Sequence, residues 1–84
     1  MATVKIYSTS WCAYCKAEKN FLDERKVPYT DVNVEEDEAA AAEMVKISGQ
    51  MGVPFTTVTH DDGSTVGVVG FDQDWLSTEL KLAS

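Results

Sequence analysis

The chain of 84 residues has two cysteines, Cys12 and Cys15, in the run Ser8-Thr9-Ser10-Trp11-Cys12-Ala13-Tyr14-Cys15-Lys16. Two thiols at this spacing can close on each other, exchange with an external disulfide, or supply half of a metal site. As a structural staple the pair is poor, because so small a loop removes little entropy from the unfolded chain. Structural zinc normally takes four ligands, and the chain offers no third cysteine and one histidine, His60. A metal or iron–sulfur cluster shared between two chains stays open on this count. Thiol–disulfide exchange is the chemistry that the spacing fits best.

Exchange requires a thiolate. An ordinary cysteine, with a pKa of about 8.5, is only about 3% ionised at pH 7. Lowering that value to about 6 would give about 90% thiolate, a differential stabilisation of roughly 3 kcal/mol. Cys12 falls at the expected junction of a first strand with a first helix. Unpaired backbone N–H groups and the helix dipole favour negative charge there, and Lys16 follows in the next turn. Cys12 is therefore expected to attack a disulfide, and Cys15, one turn deeper, to resolve the mixed disulfide. Trp11 and Tyr14 flank the nucleophile, either as an apolar rim for a partner or as packing under the loop.

The elements that must hold this pair are legible as patterns. Residues 3–8 alternate, with Val4 and Ile6 to one side and Lys5 and Tyr7 to the other, which predicts a strand. Residues 13–26 take a helical period, with Ala13, Ala17, Phe21 and Leu22 toward the core, and Val27-Pro28 ends them. Residues 29–34 alternate again. Glu35-Glu36-Asp37-Glu38 opens a second helix, where carboxylates suit the positive end of the dipole; a docking patch is the other reading. Ala40, Met44 and Ile47 lie at core spacing, with Lys46 and Gly49 marking the end.

Residues 55–59 and 64–69 flank His60-Asp61-Asp62-Gly63 and predict a hairpin, with His60 in a surface turn and without a catalytic part. Asp72 is placed to cap a last helix carrying Trp75, Leu76 and Leu80. The order βαβαββα predicts one α/β domain over residues 1–84. It would have a four-stranded mixed sheet, a parallel first pair, and three helices on its faces.

The formal charge of −7 argues against nucleic acid and against anionic membranes as partners. No run approaches the roughly 20 apolar residues that a membrane helix needs, and the first residues lack a signal-peptide pattern. A monomer in the reducing cytoplasm is the expectation.

These motifs resemble the glutaredoxin family of the thioredoxin fold. The likeness rests on Trp11-Cys12-Ala13-Tyr14-Cys15, Gly52-Val53-Pro54 and Val69-Gly70-Phe71-Asp72, and it covers essentially the whole chain. It implies a cis peptide at Val53-Pro54 facing the thiols, with Val53 holding an extended substrate segment through its backbone. An ordinary loop proline is the alternative.

The resemblance also implies that Gly70, Phe71 and Asp72 bind glutathione, Asp72 receiving its free amine. Against this, Asp72 could serve as a helix cap and Phe71 as core filler. The family's double glycine is Gly70-Phe71 here, and Thr9 stands where a lysine is common. Gly-Phe is similar instead to small redoxins that reduce ribonucleotide reductase and are recharged by thioredoxin reductase. Trp-Cys-x-Tyr-Cys is more similar to mycothiol-using redoxins. The implied activity is reduction of protein or mixed disulfides, with no bound organic cofactor and with glutathione, another small thiol or a reductase as electron donor. A cluster-bridged dimer and a regulatory interaction domain are the readings from other classes.

Overall fold

In a computed structural model, which describes residues 2–50 and 52–81, the elements follow the predicted order. They are β1 (Thr3–Ser8), α1 (Ala13–Glu24), β2 (Thr30–Asn33), α2 (Glu38–Ser48), β3 (Phe55–Thr59), β4 (Thr65–Val69) and α3 (Gln73–Leu80). The sheet runs β2-β1-β3-β4; β1 is parallel to β2 and antiparallel to β3, and β3 is antiparallel to β4. This is the mixed-sheet arrangement of the thioredoxin fold.

Strand alternation sends the side chains of β1 to two different cores. Val4 and Ile6 join Val58 of β3, Phe21 and Leu22 of α1, and Leu76 of α3. Tyr7 and Phe55 face the other way and meet Met44 of α2, with ring centroids 5.7 Å apart. The Tyr7 hydroxyl donates to Glu43 Oε1 at 3.0 Å, so the ring can be buried without orphaning its O–H. The Lys5–Tyr7 side of β1 is thus a second, helix-covered face, and β1, like its neighbour β3, has a core on each side.

Three details differ from the pattern. The buried face of α1 is Cys15, Glu18, Phe21 and Leu22, while Ala13 and Ala17 are exposed. Cys15 and Leu22 are two helical turns apart and set the row that meets the sheet; small alanines fit either flank. Ile47 is 50% exposed, because the packing row of α2 steps by four from Ala40 to Met44 and then to Ser48. The acidic run does not enter the helix as a block: α2 begins at Glu38, and Asp37 precedes it as the cap.

Turn chemistry fixes the ends. Gly49 closes α2 at φ 77°, a left-handed conformation that glycine takes without strain. At Gly67 of β4 a Cβ would come within 2.8 Å of the Phe55 ring, so the aromatic of the second core lies directly on the backbone there. Among the described residues no helix is long and apolar enough to cross a membrane.

Candidate active site

Residues 9–11 carry the chain from β1 to α1 through a short turn that is tied down on both flanks. Cys12 N–H donates to Thr9 O at 3.4 Å, and Val34 N–H donates to Ser8 O at 2.9 Å. The backbone N–H and the hydroxyl of Ser10 both donate to Glu35 Oε1, the hydroxyl at 2.8 Å. Glu35, first of the acidic run, therefore pins the residue before Trp11. Its role is tertiary, and sequence spacing could not have separated it from its acidic neighbours.

Cys12 is the N-cap of α1. Its backbone is extended (φ −83°, ψ 112°), and its Sγ accepts a hydrogen bond from Cys15 N–H at 3.1 Å. A serine or aspartate oxygen caps a helix in this way. The two sulfurs form a disulfide, with Cα atoms 5.2 Å apart. Cys12 keeps 6% of its surface and Cys15 none, so an outside sulfur has access to Cys12 first. Trp11 and Tyr14 are 72% and 70% exposed; neither ring packs under the loop.

Strand register gathers the other expected residues at this end of the sheet. Tyr7 pairs with Phe55, and Phe55 with Val69, so the segments after β1, before β3 and after β4 leave the sheet together. The Val53–Pro54 bond is cis, and Gly70 N–H donates to Pro54 O at 2.7 Å. Phe71 turns inward, half-buried, and meets Phe21 edge-on with centroids 5.6 Å apart. Asp72 Oδ1 accepts from Trp75 N–H at 3.0 Å as the cap of α3. Phe71 and one oxygen of Asp72 are thus engaged in packing and capping.

His60 lies elsewhere. Its Nε2 is 2.9 Å from Glu79 Oε2, which ties the β3–β4 turn to α3 at the end of the sheet where Thr3 pairs with Thr59. That is the end opposite the cysteines. Among the described residues, no three His, Cys, Asp or Glu side chains converge where a metal ion could sit.

One residue was missed from the sequence. Glu18, three positions after Cys15, is fully buried, and its Oε2 accepts a hydrogen bond from the Thr56 hydroxyl of β3. Burial pushes this carboxyl up to about 7, and the Thr56 bond pulls less strongly the other way. The signal was present: Glu18 falls on the helical row of Cys15 and Leu22, where an apolar residue is the norm.

Residues 4–60 match the family model described as glutaredoxin. The chain belongs to the glutaredoxin family. It is 40% identical over 70 residues to a glutaredoxin-like 8.6 kDa protein in a rubredoxin operon of Clostridium pasteurianum, covering 83% of this chain and 87% of that one. Among solved structures, it is similar to a glutaredoxin of Archaeoglobus fulgidus, with TM-score 0.75 and 27% identity over 96% of this chain and 88% of that one. It is also similar to the glutaredoxin-like NrdH-redoxin of Escherichia coli, with TM-score 0.72 and 26% identity over 98% and 99%. Glutaredoxins as a family are thiol–disulfide oxidoreductases, and this glutaredoxin carries its disulfide-forming pair at the start of α1.

Proposed function

We propose that the chain is a dithiol–disulfide oxidoreductase that reduces protein or mixed disulfides through Cys12 and Cys15. The observation that carries this reading is the asymmetric pair: Cys12 Sγ stands at the N-cap of α1 with a slit of exposure, and Cys15 lies sealed behind it. In the reduced protein the N-cap donors and the helix dipole favour the Cys12 thiolate.

The Cys12 thiolate attacks one sulfur of the substrate disulfide, and the other leaves as a thiolate that takes a proton from water. Cys15 then attacks Cys12 Sγ, closes the disulfide present in this structure, and releases the second substrate sulfur. Two electrons pass to the substrate, and a small thiol such as glutathione, or thioredoxin reductase, returns them. Exposed Trp11 and Tyr14 offer apolar area beside the reacting sulfur, and Val53 and Pro54 are assigned to hold an extended substrate segment at the same sheet end. No bound organic cofactor takes part, and the protein acts as a monomer in the cytoplasm.

A second reading concerns the donor and the target. Phe71 fills space against Phe21, next to the glycine where glutathione would approach, which favours thioredoxin reductase as donor and ribonucleotide reductase as target. The likeness to NrdH-redoxin, described for a thioredoxin-like activity profile, supports it. The test supplies the oxidised protein with glutathione plus glutathione reductase, and separately with thioredoxin reductase plus NADPH. Recharging by one system alone identifies the donor. Full-rate turnover by a Cys12→Ser variant would sink the thiol mechanism, as would stoichiometric iron in anaerobically purified protein that shows negligible turnover.

A further inference from the structure

Cys15 carries a difficulty that its position creates. Resolution needs a Cys15 thiolate, yet the side chain has no exposed surface and burial disfavours the charged form. Its proton has no direct path to bulk water. Glu18 sits at the i+3 position on the same helix face, which places the two Cβ atoms about 5–6 Å apart. It too has no exposed surface, and among the described residues its Oε1 makes no hydrogen bond. An orphan carboxylate oxygen in a core is costly, so its presence one helical turn from a buried cysteine calls for a role.

We propose that Glu18 is the proton acceptor for Cys15 in the resolving step, a reading that rests on the dithiol mechanism above. The Glu18 carboxylate takes the proton of the Cys15 thiol. The resulting thiolate attacks Cys12 Sγ, the Cys15–Cys12 bond forms, and the bond from Cys12 to the substrate sulfur breaks. The electron pair leaves with that sulfur, which is protonated by water. The protonated Glu18 is left in an apolar surrounding that suits its neutral form. Reduction of the disulfide runs the same steps backward and returns the proton to Cys15.

The surroundings favour a neutral-pH proton exchanger. Burial and the Thr56 bond account for the raised carboxyl, and no charged neighbour contributes. The next residue on α1 is Lys19, whose charge is held by Asp31 of β2 at 2.9 Å. Burial tends to raise Asp31, but bonds from Ser8 of β1 and Lys19 outweigh it and keep this carboxyl below its ordinary value. From β3 comes the Thr56 hydroxyl, and α3 adds Leu76 to the adjoining core.

Stopped-flow reaction of the reduced protein with one equivalent of dithiobis-nitrobenzoate separates the steps, because each releases a coloured thiolate. The first release reports attack by Cys12 and is bimolecular; the second reports resolution by Cys15 and is unimolecular. In the wild type the second phase should accelerate through neutral pH. Glu18→Gln should slow it by about 100-fold at pH 7, the scale of general-base catalysis, and leave the first phase within about twofold. Thr56→Val removes the bond that favours the ionised carboxyl, so it should move the inflection of the second phase to higher pH.

A second phase of unchanged rate and pH profile in Glu18→Gln overturns the proposal. Should that variant not fold, an unmoved inflection in Thr56→Val overturns it equally. A merely structural Glu18 would alter melting temperature and leave both profiles in place. A first phase no faster than that of a simple peptide thiol would remove the dithiol mechanism itself, which is a different result from loss of the second phase alone.

Discussion

The helices α1, α2 and α3 begin in the same geometry with different atoms. Each has an extended N-cap residue whose side chain accepts from the backbone N–H three residues on: Asp37 from Ala40 and Asp72 from Trp75, both at 3.0 Å, and Cys12 from Cys15 at 3.1 Å. Two of the three positions hold a carboxylate. The third holds the sulfur that is proposed to react. A site that elsewhere in the same fold is filled by an anion is a site built to favour one, through unpaired N–H donors and the helix dipole. The contrast teaches that the activation proposed for Cys12 needs no special machinery. It needs a thiol where a cap belongs, and a turn held by Glu35 and the neighbouring backbone so that the thiol stays there.

The sharpest way to break the comparison is to keep the cap and remove the sulfur. Cys12→Ser places a hydroxyl, a preferred cap, at the start of α1. Disulfide reductase activity should fall to the uncatalysed level, while the melting temperature should stay within about 3 °C of the reduced wild type. A large loss of stability would show that the sulfur was doing more than capping. The companion variant Cys15→Ser keeps an N–H donor for the cap and loses the resolving thiol. It should accumulate the Cys12–substrate mixed disulfide, visible as a mass increase by intact mass spectrometry; absence of such an adduct would dissolve the division of labour between the two cysteines.

Glu18 extends the comparison from a carboxylate at a helix start to one inside a core. Its folded value of about 7 lies well above the ordinary 4.5, because burial penalises the ion. The folded state therefore binds the proton more tightly than the unfolded state. Stability is highest below about pH 4.5 as far as this group is concerned, and it is lost as pH rises to about 7, by about 3 kcal/mol. Asp31 and Asp62, both lowered from 3.8, act in the opposite sense but only in more acid solution. Urea midpoints measured at pH 5 and pH 8 should show the decline, and Glu18→Gln should flatten it. A wild type with equal midpoints would place Glu18 in a far more solvated setting than its burial indicates.

Sequence reasoning read the elements well where one physical rule governs each. Alternation gave β1 and β2, Gly49 the end of α2, Asp72 a cap, and Asp61-Asp62-Gly63 the hairpin; α1 stops at Glu24, short of the expected Lys26, which has a positive φ of 57°. The thiol pair and its helix junction were legible for the same reason: spacing and local backbone settle them. What stayed hidden depends on which face meets which neighbour. Glu18 went unremarked because charged residues on helices normally face water. Its partner Thr56 is 38 residues away and is brought close by the β1–β3 pairing. Ile47 looked like core because a period of three or four is ambiguous at the end of a short helix, and only the sheet beneath it decides. Phe71 carried two meanings, ligand contact or filler, and the edge-on contact with Phe21 shows how it packs.

The smallest expected effects distinguish the two carboxylate caps from each other. Asp37→Ala and Asp72→Ala each remove one side-chain acceptor from a helix start. Each should lower stability by about 1 kcal/mol, roughly 4–8 °C in melting temperature for a chain of this size. Asparagine keeps the acceptor and drops the charge, so Asp37→Asn and Asp72→Asn should both recover most of that loss. At Asp72 the exchange has a further use. If this residue also received the amine of glutathione, Asp72→Asn would raise the KM for glutathione while leaving the melting temperature nearly intact. With Oδ1 bonded to Trp75 N–H and the neighbouring Phe71 packed on Phe21, the KM is expected to stay within about twofold. A tenfold rise would make Asp72 unlike Asp37 after all: a cap whose free oxygen reads a ligand's charge.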